Sequence, residues 1–380
     1  MSVNQKLRVG LVLDDTIDSS DGVQQFVLTL GKWLENQGHS VFYLTGESYR
    51  KDLSNLYSLS RNVHIRFNGN RFSIPLPASK KTINEILGSK FDILHIQMPY
   101  SPMLAGRIVK YADASTAVIG TFHIAPYGKF ASIAAQALGL LSKTTITRFD
   151  KVIAVSLTAD EMARNMYKVK PIIIGNMFNY KKFSEAKPYD RQATVELLFL
   201  GRLVKRKGCI TLLEALSIIQ RSTTGMPKVR LTIVGDGPLK THLEEYVAKK
   251  GLNDWVRFIG FINEADKPRY LASADISVFP SISGESFGFV LLEAMSSGKS
   301  AIIAADNPGY KTLLKYNQDM LFPAGDAISL ASKIKEFIYD EALRYKIALA
   351  GRIIAKTYDQ EVIGPAINEE YRRALHRRRA

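Results

Sequence analysis

The sequence predicts an α/β fold, built as two successive doubly wound domains in which helices cover both faces of a parallel sheet. Three observations carry that expectation. Short apolar runs alternate with stretches of helical periodicity along the chain. A polar segment at 184–194 interrupts the alternation, which then restarts. Finally, 380 residues exceed one ordinary core but suit two of roughly 150–200 residues each.

Leu7–Asp14 is a short apolar run closing in acidic residues, as a strand buried on both faces would be. Gly22 opens a helical pattern, Val23, Phe26, Val27, Leu30 and Leu34, which Gly38 closes before the next strand, Ser40–Leu44. Strand, glycine turn, helix and strand make a βαβ unit, whose right-handed crossover starts a parallel sheet. Further strands are expected at Ile93–Ile96, Ala117–Thr121 and Lys151–Val155. Beyond the polar segment come strands at Val195–Leu200, Val229–Val234, Val256–Ile259, Ile276–Phe279 and Ser300–Ala304. Helices between them are expected at Gly208–Ile219, Leu239–Lys249, Lys267–Ser273 and Phe289–Ser297. The domains are therefore placed at 1–184 and 195–361, with Val362–Arg379 a basic-ended terminal helix. Ligands of such folds bind beyond the carboxyl ends of the strands, so the expected site is a central cleft.

With 46% hydrophobic and 23% charged residues, the composition is that of a globular protein. The single cysteine, Cys209, excludes an intramolecular disulfide and a cysteine-based metal cluster, and fits a reducing cytoplasm. Residues 1–7 are polar and form no signal-peptide core. Ala131–Leu141, flanked by Lys129 and Lys143, is too short for the roughly 20 residues of a membrane span and reads as a buried or interfacial helix. The net charge of +15 fits nucleic acid, an anionic membrane or phosphate-bearing substrates. The excess is spread over both halves, and its one dense run is Arg377-Arg378-Arg379. No reader motif accompanies it, which argues against nucleic acid. The Gly10–Gly22 stretch lacks the dinucleotide fingerprint of an oxidoreductase.

Two segments carry chemistry. Gly201–Gly208 follows a strand and leads into a helix, so Arg202, Lys207 and the backbone amides at the helix start can neutralise a diphosphate. A solvated basic loop is the plainer reading of that segment. In Glu285-Ser286-Phe287-Gly288-Phe289-Val290-Leu291-Leu292-Glu293, the carboxylates lie eight residues apart across a glycine turn and a helix start. A carboxylate accepts two hydroxyl hydrogen bonds at once, which suits the vicinal diol of a ribose or hexose. The amides of Phe287 and Gly288 stand ready for phosphate.

Gly201–Lys207, Gly235-Asp236-Gly237-Pro238, Ala274-Asp275, Pro280, Gly284–Met295 and Pro308-Gly309 resemble the retaining GT-B glycosyltransferases of family 4. The resemblance implies two Rossmann-like domains, the first on the acceptor side and joined by the C-terminal helix 362–380, and a nucleotide sugar held mainly by the second, with no metal or other cofactor. It assigns Arg202 and Lys207 to the donor diphosphate, Glu285 to the donor sugar and Glu293 to the ribose. Ser286, Phe287 and Gly288 join them in the donor site, and Ile262 and Lys267 fall beside the base. In the first half, Asp21-Gly22-Val23-Gln24 resembles the glycine turn that approaches donor phosphates and acceptor. His123, in Thr121-Phe122-His123, resembles the strand-end histidine that faces the reacting sugar. The implied reaction proceeds on one face of the sugar, with no enzymic nucleophile.

Within the family the similarity is to phosphatidylinositol mannosyltransferases, on Gly22-Val23-Gln24, the Lys80-Lys81 helix start, Phe91–Ile96 and Gly284–Gly288. That implies GDP-mannose as donor and a membrane lipid such as phosphatidylinositol as acceptor. The location it implies is cytoplasmic, peripheral on the inner face of the cell membrane. Lys80 and Lys81, with Lys90, bracket Ile83, Ile86 and Leu87 in a short amphipathic helix suited to anionic lipid, or equally to ordinary packing on a core. Gln24, Gln97 and Tyr100 fall on the acceptor side. Gln97-Met98-Pro99-Tyr100 departs from the histidine, acid, proline and asparagine usual in those relatives, which leaves the acceptor open. The alternative donor is a UDP-sugar, used on another glycan or glycolipid.

Overall fold

Val9, Leu11, Val12 and Leu13 are fully buried on β1 (Arg8–Leu13), as a strand covered on both faces requires. The computed structural model describes residues 5–19, 21–67, 70–99, 101–123, 142–190, 194–222, 225–285 and 287–379. The chain forms two compact units, Met1–Phe178 with Gln360–Ala380, and Asn179–Asp359.

The first unit continues with α1 (Gly22–Asn36), β2 (Ser40–Thr45), β3 (Leu56–Ser58), β4 (Asn62–Phe67), β5 (Asn70–Pro75) and α2 (Lys80–Leu87). Then come β6 (Ile93–Gln97), α3 (Leu104–Tyr111), β7 (Ala117–Phe122), α4 (Lys143–Ile146), β8 (Lys151–Ala154), α5 (Leu157–Tyr167) and β9 (Ile172–Ile173). Its parallel sheet runs β3-β2-β1-β6-β7-β8-β9, and β4 and β5 form a separate antiparallel hairpin. The strand order reverses at β1 and β6, so the loops after them flank a crevice of the kind that binds ligands in doubly wound folds.

The second unit holds α6 (Tyr180–Ser184), β10 (Val195–Leu200), a 3-10 turn (Lys205–Lys207), α7 (Cys209–Ser222), β11 (Val229–Val234), α8 (Lys240–Lys250) and β12 (Val256–Gly260). It continues with α9 (Lys267–Ser273), β13 (Ile276–Phe279), α10 (Phe289–Ser296), β14 (Ala301–Asp306), α11 (Pro308–Leu314) and β15 (Leu321–Pro323). Two further helices, α12 (Ala327–Tyr339) and α13 (Glu341–Lys356), complete it. Its six-stranded parallel sheet runs β12-β11-β10-β13-β14-β15, with the reversal at β10 and β13.

The last helix, α14 (Gln360–Arg379), packs in the first unit. His95 of β6 is fully buried and bonds the Tyr371 hydroxyl at 2.7 Å and the Thr121 hydroxyl at 2.6 Å. The Trp33 indole N–H donates to Glu361, and a Cβ on Gly364 would overlap the Trp33 ring, so helix and ring meet at glycine distance. The basic terminus is partly paired: Arg378 meets Asp150 at 2.7 Å and Arg379 meets Asp92 at 3.3 Å.

One expectation shifts, and one of two open readings is decided. The boundary falls at Phe178/Asn179, before the polar segment at 184–194, because α6 packs on α9 and α10 of the second unit. On α2, Ile83 and Ile86 are core residues packed with Phe91, Leu94 and Ile108. That helix therefore offers solvent its lysines and not its apolar face. Ala131–Leu141 lies outside the described residues.

Candidate active site

In the second unit, both loops at the strand-order reversal are held together by backbone contacts, one of which only glycine permits. Gly208 has a φ of 66°, and a Cβ there would overlap the Pro280 carbonyl, so the turn after β10 touches the loop after β13. Ile282 N–H donates to the Arg206 carbonyl at 2.8 Å, which closes the second link between the loops. The 3-10 turn places Arg206 and Lys207 side by side over Glu285. Lys207 Nζ lies 2.6 Å from Glu285 Oε1 and an Arg206 guanidinium nitrogen 3.3 Å from the same oxygen. The three side chains are largely buried, with 17%, 21% and 10% of their surface exposed for Lys207, Arg206 and Glu285.

Glu293 sits one turn into α10 and is buried, with its carboxylate 2.9 Å from Lys267 Nζ. Lys267 also meets Glu264 at 2.9 Å. Burial pushes the Glu293 carboxyl above its ordinary range, and the Lys267 ammonium opposes it. Burial also works against the charge on Lys267, but its two carboxylates outweigh that and hold it above the usual lysine value. Each glutamate is thus matched by a lysine, and both pairs border one loop-and-helix segment.

The remaining donor-side candidates separate. Arg202 is exposed on the loop after β10, and Ile262 is half-buried in the loop after β12. The Phe287 side chain belongs to the core, against Phe289 and Tyr358, which leaves its backbone as the part able to meet a ligand. Gly288, at φ 97°, is the N-cap of α10, and among the described residues no side chain caps the first turn, whose amides lack partners within the helix. Ser286 and Tyr100 lie outside the described residues.

The first unit gathers its candidates at the carboxyl ends of β1, β6 and β7. His123 is buried, and its Nε2–H donates to Gln97 Oε1 at 2.6 Å, with the Phe26 ring edge-on at 4.8 Å. Burial pushes both His123 and His95 down to about 3, so each is neutral at physiological pH. The Gln97 amide nitrogen, also buried, has no hydrogen-bond partner among the described residues. Gln24 is buried on α1 and donates to the Thr16 carbonyl at 3.0 Å and to Asp15 at 3.3 Å. Gly22 opens α1 without a left-handed backbone, so its own conformation does not demand glycine. Lys80 and Lys81 are exposed on the first turn of α2, which Ser79 caps.

Sequence reasoning missed two groups. Arg206 stood within the basic run, but its approach to Glu285 depends on the 3-10 turn, which spacing did not reveal. Asp14 ends β1 at the reversal point, is buried, and accepts from Ala105 N–H at the start of α3 at 2.7 Å. Burial raises its carboxyl from an ordinary 3.8 to about 6, with hydrogen bonds from Ser101, Ala105 and Leu104 opposing. Raising the folded-state value means that ionisation costs stability as pH rises through this window. Asp14→Asn keeps an acceptor for Ala105. It is expected to match the wild type below about pH 4 and to exceed it by up to about 3 kcal/mol above pH 6, as urea titrations at both pH values would show.

Residues 181–353 match the family model of glycosyl transferases group 1, and residues 20–179 match that of Glycosyltransferase Family 4. The phosphatidyl-myo-inositol mannosyltransferase of Mycobacterium tuberculosis is 30% identical over 383 residues, covering 96% of each chain. That of Propionibacterium freudenreichii is 28% identical over 384 residues, covering 96% of this chain and 94% of its own. Among solved structures, a glycosyltransferase from Rickettsia africae superposes with a TM-score of 0.72 at 20% identity, over 97% of this chain and 99% of that one. Anabaena Alr3699/HepE in complex with UDP gives a TM-score of 0.70 at 20% identity, over 96% and 99%. Among the described residues no helix is long and apolar enough to cross a membrane. The chain belongs to the group 1 glycosyltransferases with a family 4 N-terminal half, and its two parallel-sheet units are those of the GT-B fold.

Proposed function

We propose that the protein transfers mannose from GDP-mannose to a membrane lipid such as phosphatidylinositol, with retention of anomeric configuration. The observation that carries this reading is the pairing of Lys207 and Arg206 with Glu285 at the reversal point of the second sheet. The relatives named as phosphatidyl-myo-inositol mannosyltransferases support the choice of sugar and acceptor.

Lys207 has three donors and Glu285 about four lone-pair positions, so their mutual bond leaves capacity on both. A donor diphosphate takes up the spare donors of Lys207, with Arg202 and the amides at Gly288 adding positive potential. Glu285 accepts from the sugar hydroxyls, and Glu293 from the ribose. As the bond from the anomeric carbon to phosphate oxygen breaks, negative charge grows on the leaving nucleotide, where these cations are already in place. The acceptor hydroxyl attacks from the face the phosphate leaves, and its proton passes to a phosphate oxygen. His123, being neutral, serves by orienting a sugar hydroxyl and through its carbonyl, not as a cation. Gln24 and Gln97, with Tyr100, are assigned to the acceptor side.

Charge neutralisation by side chains makes an added metal unnecessary in this scheme. Purified protein should therefore form mannosyl-phosphatidylinositol from GDP-mannose at an unchanged rate in EDTA, with an α-linkage by NMR. Transfer from UDP-glucose in its place, or an inverted linkage, would overturn the reading. The UDP complex of a structural neighbour makes the UDP-sugar the alternative to include in the same assay.

A further inference from the structure

α13 presents two apolar faces, where an ordinary surface helix has one. Its inner face, Ile347, Ala348, Gly351 and Ala355, is buried against α10 and β14. Gly351 allows that approach, since a Cβ there would come within 3.0 Å of Met295. Its outer face carries Tyr345, Leu349 and Ile353 at successive i, i+4 positions, exposed by 71%, 47% and 63%. Lys346, Arg352 and Lys356 stand exposed beside this stripe, and the only acidic side chain on the helix is Glu341 at its first residue. Just past the helix, burial pushes the Tyr358 hydroxyl above its ordinary value against the opposing charge of Lys315, whose neighbour Tyr316 is 83% exposed.

We infer that the outer face of α13 docks on an anionic lipid surface. A narrow apolar stripe with flanking lysine and arginine is the pattern of an interfacial helix, whose apolar side chains enter the acyl boundary while cations meet lipid phosphates. Tyrosine and lysine suit that boundary because each carries an apolar body and a polar tip. A second copy of the chain is a poorer occupant. Two-fold pairing would set Lys346, Arg352 and Lys356 against the same residues of the other copy, where interface cores are depleted of charge. α2 does not compete for the role with an apolar face, since Ile83 and Ile86 are in the core. The inference extends the lipid-acceptor reading but is tested apart from it, on vesicles that contain no phosphatidylinositol and without donor.

The full chain is sedimented with vesicles of phosphatidylcholine alone and with 30% phosphatidylglycerol. We expect at least tenfold stronger partition onto the anionic vesicles, weakening at high salt. Leu349→Gln with Ile353→Gln, and separately Lys346→Glu with Lys356→Glu, should each reduce that partition at least tenfold. Both should keep the wild-type melting temperature and its response to GDP. Partition unchanged in either pair of variants would overturn the inference, as would equal binding to neutral vesicles. A wild-type dimer that the glutamine variants convert to monomer, without loss of vesicle binding, would assign the stripe to self-association instead. Vesicle binding that depends on the stripe, found with no transfer to phosphatidylinositol, would leave the docking face standing and remove the acceptor reading alone.

Discussion

Replacing Lys207 with alanine is expected to lower kcat for sugar transfer by about 10²–10³-fold, the usual effect of removing one preorganised group at a developing negative charge. Lys207 is held by the protein itself, 2.6 Å from Glu285, so on the proposed reading its charge is in place where the leaving phosphate would gain charge. Arg206 remains on Glu285 in the variant, which keeps that carboxylate paired and limits the loss of fold stability. Glu285→Gln should be comparably slow for a different reason: it keeps an acceptor oxygen but loses the charge that grips two hydroxyls and balances Lys207. Steady-state kinetics with thermal melts separates these effects from unfolding. Wild-type turnover in either variant would remove the pair from the reaction.

The second large effect comes from a residue that bears no functional group. Gly309, in the first turn of α11, lies against the backbone of Glu285, and a Cβ there would overlap the Glu285 carbonyl oxygen and approach its Cβ at 2.9 Å. Neither neighbour is the far end of a flexible side chain, so Gly309→Ala must displace the Glu285 backbone. Displacement of a reacting group by about 1 Å costs on the order of 10²-fold in rate. The stability cost should be only about 1–3 kcal/mol, as for other overpacked sites. Activity is therefore expected to fall much further than the melting temperature. A variant with full activity would show that the position of Glu285 is not set by α11.

The sequence made much of this architecture legible because parallel strands buried on both faces leave unbroken apolar runs. β10, β11 and β13 begin and end where those runs do. β3 and β9, with three and two residues, and the β4–β5 hairpin gave no such signal, being short or placed outside the buried sheets. α6 lies just before the segment taken for a linker and was counted with the first domain, since only Tyr180 and Phe183 of its five residues reach the core and give no helical period. Glu285, Lys207 and Glu293 were readable from motif and spacing. Arg206, Asp14 and the two-faced character of α13 were not, because each depends on which side of a turn or helix the rest of the chain covers. His123 shows the reverse: its position was legible, while its neutrality follows from burial that no spacing encodes.

The central claim is that the loops after β10 and β13 bind the diphosphate of a guanine nucleotide through Lys207. Calorimetric titration of GDP into the wild type and Lys207→Ala, with UDP as the comparison, tests it most directly. The account predicts saturable GDP binding to the wild type, weaker binding of UDP, and at least a tenfold loss of GDP affinity in the variant, equivalent to about 1.4 kcal/mol. GDP binding of equal strength in both proteins, or preference for UDP, would contradict it.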